Sequence, residues 1–63
     1  MEKLGALIRQ QRKRLGLTQF QLAELLDCCP EAVYMWEHDI RRPRPTHLRA
    51  LCSLFGVSIE YFI

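Results

Sequence analysis

Hydrophobic side chains recur at helical spacing from the beginning of the chain. The apolar positions of a first predicted helix lie on or near one stripe, at Leu4, Leu7, Ile8 and Leu15. The polar side chains between them point away from this stripe. Gly16 follows, and because glycine adopts the left-handed backbone without strain, it predicts the end of this helix.

A second helix is predicted from Thr18 to Leu26. Thr18 and Gln21 have the spacing of a capping box, in which the hydroxyl accepts an unpaired N–H and the amide reaches back. The apolar positions that continue this helix are Leu22, Ala23, Leu25 and Leu26. Asp27 follows, and aspartate tolerates the left-handed conformation better than most residues.

A third helix is predicted from Pro30 to Glu37. Proline is favoured at a first helical position, and Glu31 next to it suits the positive end of the helix dipole. Val33 and Trp36 are three residues apart, so they share an inward face, and we expect Trp36 in the core.

Two more helices complete the predicted fold. A fourth helix runs from about Thr46 to Phe55, and Gly56 ends it. Its apolar positions are Leu48, Leu51, Cys52 and Phe55. Ser58 begins a short fifth helix through Ile59, Tyr61 and Phe62. No alternating pattern predicts a strand, so the sequence predicts an all-α fold of five short helices.

The length limits what the chain can be. Its 63 residues make one domain, 1–63, with little material to enclose a catalytic pocket, so we expect no enzyme and no small-molecule substrate. No apolar run is long enough for a membrane span, and the N-terminus has no secretory signal pattern. A core this small is barely sufficient for stability, which favours support from a second subunit.

The cysteines and histidines do not predict a metal or disulfide site. Cys28, Cys29 and Cys52 are an odd number without a framework spacing, so we expect reduced thiols in a cytoplasmic protein. His38 and His47 lack a third ligand at metal spacing. No nucleophile, base and orienting group are readable, and no cofactor is expected.

The distribution of charges along the chain is more informative than the net charge. Nine basic and seven acidic residues leave a net charge of +2, and seven of the nine cations are arginine, which suits forked contacts with phosphate. The cations form two clusters, Arg9, Arg12, Lys13 and Arg14 in one and Arg41, Arg42, Arg44 and Arg49 in the other. An acidic segment without cations separates them and contains Glu24, Asp27, Glu31, Glu37 and Asp39. A solvated surface remains the alternative interpretation of both clusters.

The segment from Thr18 to Glu37 carries the functional prediction. Its two helices are joined by residues 27–29 alone, and so short a turn forces a steep crossing, which is the geometry of a helix-turn-helix. The small Ala23 at the crossing allows close approach. With Val33 and Trp36 turned inward, the outward side chains are Glu31, Ala32, Tyr34 and Met35. In DNA-binding helix-turn-helix proteins, this face enters the major groove.

The chain resembles the Cro/CI type of helix-turn-helix domain, the lambda-repressor-like regulators of phages and bacteria. The resemblance covers almost the whole chain, from about Leu4 to Phe62. It is carried by Leu15-Gly16-Leu17-Thr18-Gln19, Leu22-Ala23, Trp36-Glu37, Pro43, Leu48, Leu51 and Phe55-Gly56-Val57-Ser58. Thr-Gln followed by Leu-Ala is specific because Trp-Glu stands at the matching distance behind it.

The resemblance implies a role for each matching position. It places Gln19 on a phosphate, and Pro30, Glu31 and Met35 at base edges. It places the loop side chains on the DNA backbone, namely His38, Arg41, Arg42 and Arg44. Arg12 and Glu37 match a pair that forms a buried ion pair between the first and third helices. We also expect Ala32 at a thymine methyl and Tyr34 at a base or phosphate.

The chain departs from the family pattern at several positions. Cys29 stands where Ser or Thr commonly caps the recognition helix, and Asp27 replaces the usual turn glycine. Gln11 and Leu25 exchange polarity with their usual counterparts. The recognition helix also has no Arg, Lys, Asn or Gln, which are the strongest base readers. Acidic groups near the phosphates would oppose binding, so we expect modest affinity from one domain.

Two hypotheses follow. The first is a small transcriptional regulator, a repressor acting by operator occupancy, that binds a palindromic double-stranded operator as a homodimer. Its dimer contact would use the fifth helix and the loop before it, since Phe20, Leu25, Ile40 and the Ile59–Ile63 tail carry more apolar surface than five short helices can hide. The second hypothesis is a protein-interaction module that keeps the fold and has lost DNA binding.

Overall fold

The computed structural model of the protein describes residues 3–62. In this range the chain forms four α-helices and a terminal 3-10 helix, with no strand. The helices are α1 (Leu4–Arg14), α2 (Gln19–Leu26), α3 (Pro30–Glu37) and α4 (Pro45–Phe55), and the 3-10 helix is Ile59–Phe62. The all-α fold is confirmed. The predicted short fifth helix is a four-residue 3-10 helix, so the α-helices of residues 3–62 number four.

The predicted helix ends are confirmed. Thr18 Oγ1 accepts from the Gln21 N–H at 3.0 Å, and Gln21 Oε1 accepts from the Thr18 N–H at 2.9 Å, which completes the capping box of α2. Gly16, Asp27 and Gly56 all have positive φ angles, of 72°, 56° and 70°. These residues therefore end α1, α2 and α4 in the left-handed conformation.

One hydrophobic core lies between the helices. Each of the four α-helices contributes to it, through Ile8 of α1, Leu22 of α2, Val33 of α3 and Leu51 of α4, all with 0% exposure. Trp36 is buried as expected. Leu15 was expected on the apolar stripe of α1, but it is 38% exposed. The reason is that it follows the last turn of α1, at the point where the chain turns toward α2.

Helix α1 packs directly on the end of α3. A Cβ atom added to Gly5 would lie 2.5 Å from the Glu37 carbonyl oxygen, so only glycine permits this approach. The Asp39 carboxylate accepts a hydrogen bond from the Gly5 N–H at 3.1 Å. Asp39 has a φ of 58°, which reverses the chain after α3 and aims this side chain at α1.

The C-terminal segment packs partly inward. Phe62 is 5% exposed and meets Phe55 at a ring-centroid distance of 6.3 Å. The Tyr61 hydroxyl accepts a hydrogen bond from Gln11 Nε2 at 3.0 Å. Of the side chains expected to carry surplus apolar surface, Phe62 is therefore core, whereas the exposed ones are Phe20, Leu25, Ile40 and Ile59, and Ile63 lies outside the described residues. No helix within residues 3–62 is long and apolar enough to cross a membrane.

Candidate nucleic-acid interface

The corner between α2 and α3 consists of residues 27–29. Asp27 ends α2 with a left-handed turn, and the Cys28 N–H returns to the Ala23 carbonyl at 3.0 Å. Ala23 is 1% exposed, so the backbones of the two helices approach closely at this point. The predicted helix-turn-helix is therefore present at the predicted residues.

The outer face of α3 is narrower than the sequence predicted. Glu31 and Tyr34 are exposed. Pro30, Ala32 and Met35, which were also expected to face outward, are half-buried. Ala32 packs against the core, since it lies at the edge of the stripe that buries Val33 and Trp36.

The loop after α3 folds back toward the end of the helix. The carbonyl oxygen of Met35 accepts hydrogen bonds from the backbone N–H groups of Ile40 at 2.9 Å and Arg41 at 3.4 Å. These bonds close the carboxyl end of α3, and the Met35 side chain on its last turn is half-buried. They also connect the arginine-rich loop to α3.

An aromatic pair extends the outer face beyond the end of α3. The rings of Tyr34 and His38 have centroids 4.1 Å apart and an interplanar angle of 33°. Both side chains are exposed. One helical turn separates Tyr34 from His38, so their rings and polar atoms lie together on the surface at the carboxyl end of α3.

The Glu37 carboxylate joins three parts of the interface. The predicted ion pair with Arg12 is confirmed: Arg12 Nε donates to Glu37 Oε2 at 2.6 Å, and Nη2 donates to Oε1 at 3.1 Å. Only 11% of the Arg12 side chain and 2% of the Glu37 side chain are exposed. Arg12 Nη1 also donates to the Leu17 carbonyl at 2.8 Å, which ties the pair to the turn before α2.

Gln19 is also a partner of this carboxylate, which the sequence did not reveal. Its Nε2 donates to Glu37 Oε1 at 3.2 Å. An amide nitrogen carries two hydrogens, so Gln19 retains one donor for a ligand while Glu37 holds its orientation. The first N–H groups of α2 lie beside it without partners in the intrahelical ladder, which favours an anion at this end.

Three arginines project from the loop between α3 and α4. Arg41, Arg42 and Arg44 are exposed, whereas Pro43 between them is buried. Because Pro43 anchors the loop on the protein and Pro45 begins α4 at once, the guanidinium groups extend from a short, stiff segment. This geometry suits contacts with a row of phosphates.

The two cysteines at the corner have different surroundings. Cys29 is exposed at the N-cap of α3 and makes no side-chain capping bond, as its sequence position predicted. Cys28 packs against the core. Partial burial raises the pKa of the Cys28 thiol, and the neighbouring Cys29 and Asp27 raise it further. The Cys28 thiol therefore stays protonated and unreactive near neutral pH.

Comparison with known proteins agrees with this architecture. Residues 8–62 match the helix-turn-helix family. The transcriptional regulator RamB of Mycobacterium tuberculosis is 32% identical over 59 residues, which cover 94% of this chain. The chain spans only 12% of the length of RamB.

Solved structures with the same fold include complexes with DNA. The P22 c2 repressor in complex with synthetic operator 9T matches with a TM-score of 0.93 and 27% identity, over 100% of this chain and 96% of the repressor chain. PlcR of Bacillus thuringiensis, in complex with the peptide PapR7 and DNA, matches with a TM-score of 0.86 and 32% identity. That match covers 98% of this chain and 22% of PlcR.

Proposed function

The chain belongs to the Cro/CI-type helix-turn-helix family, and on this premise we propose that it is a regulator of transcription that binds double-stranded DNA. The observation that carries the proposal is the Glu37 carboxylate, which holds Gln19 at the amino end of α2 in a fixed relation to the exposed face of α3. A phosphate contact and a base-reading helix are thereby coupled through one buried group.

Positioning and readout fall to different residues. Gln19 and the loop arginines hold phosphates and set the register of α3 in the major groove, without reading sequence themselves. Glu31 is the strongest direct reader, since its exposed carboxylate can accept from the N4 amino group of cytosine. Pro30, Ala32 and Met35 contribute apolar contacts from the rim, and Tyr34 and His38 contact the adjoining backbone.

The regulator works as a homodimer on a palindromic operator. The supporting feature is a shallow, largely apolar groove of about 540 Å³, whose lining includes Pro43, Leu48 and the exposed Ile59. The contact is narrower than the sequence suggested, because Phe62 belongs to the core. Two-fold pairing at this face would present two recognition helices about 34 Å apart, one turn of DNA.

Regulation results from occupancy of the operator and involves no chemical reaction. A bound dimer covers its operator and blocks transcription there, so repression requires no further surface. The protein acts in the cytoplasm, where bacterial and phage DNA is transcribed. Two weak half-site contacts that bind together give a much tighter complex than either alone, which offsets the lack of Arg, Asn or Gln on α3.

A protein-interaction module is the second candidate function. The observation that favours it is on α2, where Phe20 is 60% exposed and Leu25 is 59% exposed, with the acidic Glu24 between them. These residues lie on one side of the helix and are unsuited to a phosphate surface. The same fold without DNA affinity would use this side to bind a protein.

Selection of binding sites from random duplexes, followed by a salt titration, tests the proposal. We expect enrichment of a palindromic site, and log K falling linearly with log salt at a slope near −0.9 per phosphate contacted. Gln19→Ala should weaken binding to every duplex. If no site is enriched and the wild type binds duplex as poorly as Gln19→Ala at low salt, the interaction module is the correct function.

A further inference from the structure

A second basic surface lies on α1, outside the contacts assigned above. Lys3, Arg9 and Lys13 are exposed on one side of this helix, within an arc of about 120° that also includes the small Ala6. We call these three residues the α1 stripe. They line a shallow depression of about 440 Å³, whose lining also includes Glu37 and Asp39 from the end of α3.

Within residues 3–62, no carboxylate forms an ion pair with a cation of the α1 stripe. The Arg12–Glu37 contact is the single ion pair within residues 3–62. The two carboxylates of the depression are already engaged, since Glu37 accepts from Arg12 and Gln19, and Asp39 accepts from the Gly5 N–H. Arg12 thus neutralises Glu37, whereas Asp39 keeps its negative charge but forms no ion pair with a cation of the α1 stripe, so three cations and one carboxylate leave the depression with a net positive charge.

The α1 stripe is also locally unfavourable for its own helix. Arg9 and Lys13 are four residues apart, where like charges repel. Lys3 stands at the N-cap of α1, beside the positive end of the helix dipole, and the first turn has no acidic residue. Only Lys13 suits the dipole, because it lies in the last turn. Charges that local stability does not favour indicate a ligand that compensates them.

We infer that the α1 stripe binds backbone phosphates of DNA that extends beyond the operator half-site, an inference that rests on the proposed DNA binding. The reason is that the two places adjoin. Glu37 lines the depression and also accepts the hydrogen bond from Gln19, the proposed phosphate contact. A DNA strand that passes Gln19 thus continues toward Arg9 and Lys13. The contact adds affinity and no sequence preference, since it involves phosphates alone.

Two duplexes and one matched control test this inference. The first duplex is a selected operator half-site, and the second is the same half-site extended by about ten base pairs, one helical turn, at each end. Arg9→Gln should bind the short duplex like the wild type and the extended duplex about fivefold to tenfold more weakly at about 0.1 M salt. Its salt slope on the extended duplex should be smaller by about 0.9.

Arg9→Lys is the control, because it keeps the positive charge at the same exposed position of α1. It should leave both the affinity for the extended duplex and the salt slope unchanged relative to the wild type. If Arg9→Gln and Arg9→Lys behave alike on the extended duplex while the wild type binds it well, the inference is overturned and the proposed function stands. If the wild type binds neither duplex, both are overturned.

A protein partner for the α1 stripe is distinguished by poly-L-glutamate as a probe. If Arg9→Gln abolishes binding to poly-L-glutamate and leaves the extended duplex unaffected, the α1 stripe recognises acidic protein segments and the inference is wrong. Circular dichroism of both variants shows that the helices are retained, as expected for exposed side chains.

Discussion

The carboxylate of Asp39 caps helix α1 from beyond the end of α3, because its Oδ1 accepts a 3.1 Å hydrogen bond from the backbone N–H of Gly5. The residue at the N-cap position of α1, Lys3, makes no side-chain capping bond itself. The cap that α1 requires is thus supplied by a residue 34 positions further along the chain. It fixes the orientation of α3 relative to α1.

Replacing Asp39 should show both of its roles. Asp39→Ala removes the cap, which is worth about 1 kcal/mol. It also places alanine in the left-handed conformation, where its side chain cannot form a local hydrogen bond, and this costs about 1 kcal/mol more. Urea denaturation should therefore show a loss of about 2 kcal/mol in the free energy of unfolding. Asp39→Asn retains an acceptor and tolerates the same φ, so it should lose less than half as much. Equal losses in the two variants would contradict the capping role.

Gly5→Ala should destabilise the protein although alanine is the better helix former. The added Cβ would meet the Glu37 carbonyl oxygen at 2.5 Å, and overpacking of this kind costs about 1–3 kcal/mol. Helix propensity returns about 1 kcal/mol at most. In thermal denaturation the melting temperature should fall, by about 4–8 °C per kcal/mol lost. A melting temperature equal to or above that of the wild type would show that α1 and α3 separate without cost.

Breaking the Arg12–Glu37 pair should cost more than removing it. Glu37→Leu leaves a largely buried guanidinium without its carboxylate, and loss of one partner of a buried pair costs about 3–5 kcal/mol. The double variant Arg12→Met, Glu37→Leu removes both charges and should recover much of this loss. A double-mutant cycle by chemical denaturation measures the coupling energy. Additive losses would mean that the two side chains act independently.

Cys29→Ser should stabilise α3. The thiol at this N-cap makes no side-chain hydrogen bond, whereas a serine hydroxyl accepts from the N–H of Glu31 or Ala32. The expected gain is about 1 kcal/mol, measured by urea denaturation under reducing conditions. Cys29→Ala is the matched control, because it removes the thiol without adding an acceptor, and it should gain nothing. Serine and alanine variants of equal stability would show that the cap has no effect.

Glu31→Ala and Arg42→Ala should affect DNA binding in different ways. Loss of the Arg42 guanidinium removes a phosphate contact, so binding should weaken on every duplex and the salt slope should fall by about 0.9. Loss of the Glu31 carboxylate should change the preferred base pair by about 1–3 kcal/mol and leave the salt slope much less affected. Competition binding with single-base operator variants separates the two effects. A uniform change for Glu31→Ala would remove it from the base-reading face.

The local features of the fold were predictable from the sequence. The capping box of Thr18 and Gln21, the start of α3 at Pro30 and the glycine that ends α4 each depend on residues within a few positions of one another. Backbone chemistry at these points hardly depends on the rest of the molecule. The predicted ion pair of Arg12 and Glu37 came from the family resemblance, because spacing alone does not reveal a partner on another helix.

The missed features arise from tertiary packing. Gly5 was not singled out from the sequence, although a glycine inside a helical pattern often has a packing reason. The bond from Gln19 to Glu37 and the left-handed Asp39 depend on how α1, α2 and α3 meet. Met35 was expected on the outward face, and its side chain is half-buried.

The residues that anchor α3 in the core are separate from those that form its exposed face. Val33, Trp36 and Glu37 anchor the helix, while Glu31 and Tyr34 project from it. Substitutions at the projecting positions therefore leave the anchoring contacts intact. During evolution, the exposed face of α3 can therefore change by substitutions at a few positions, without an intermediate that fails to fold.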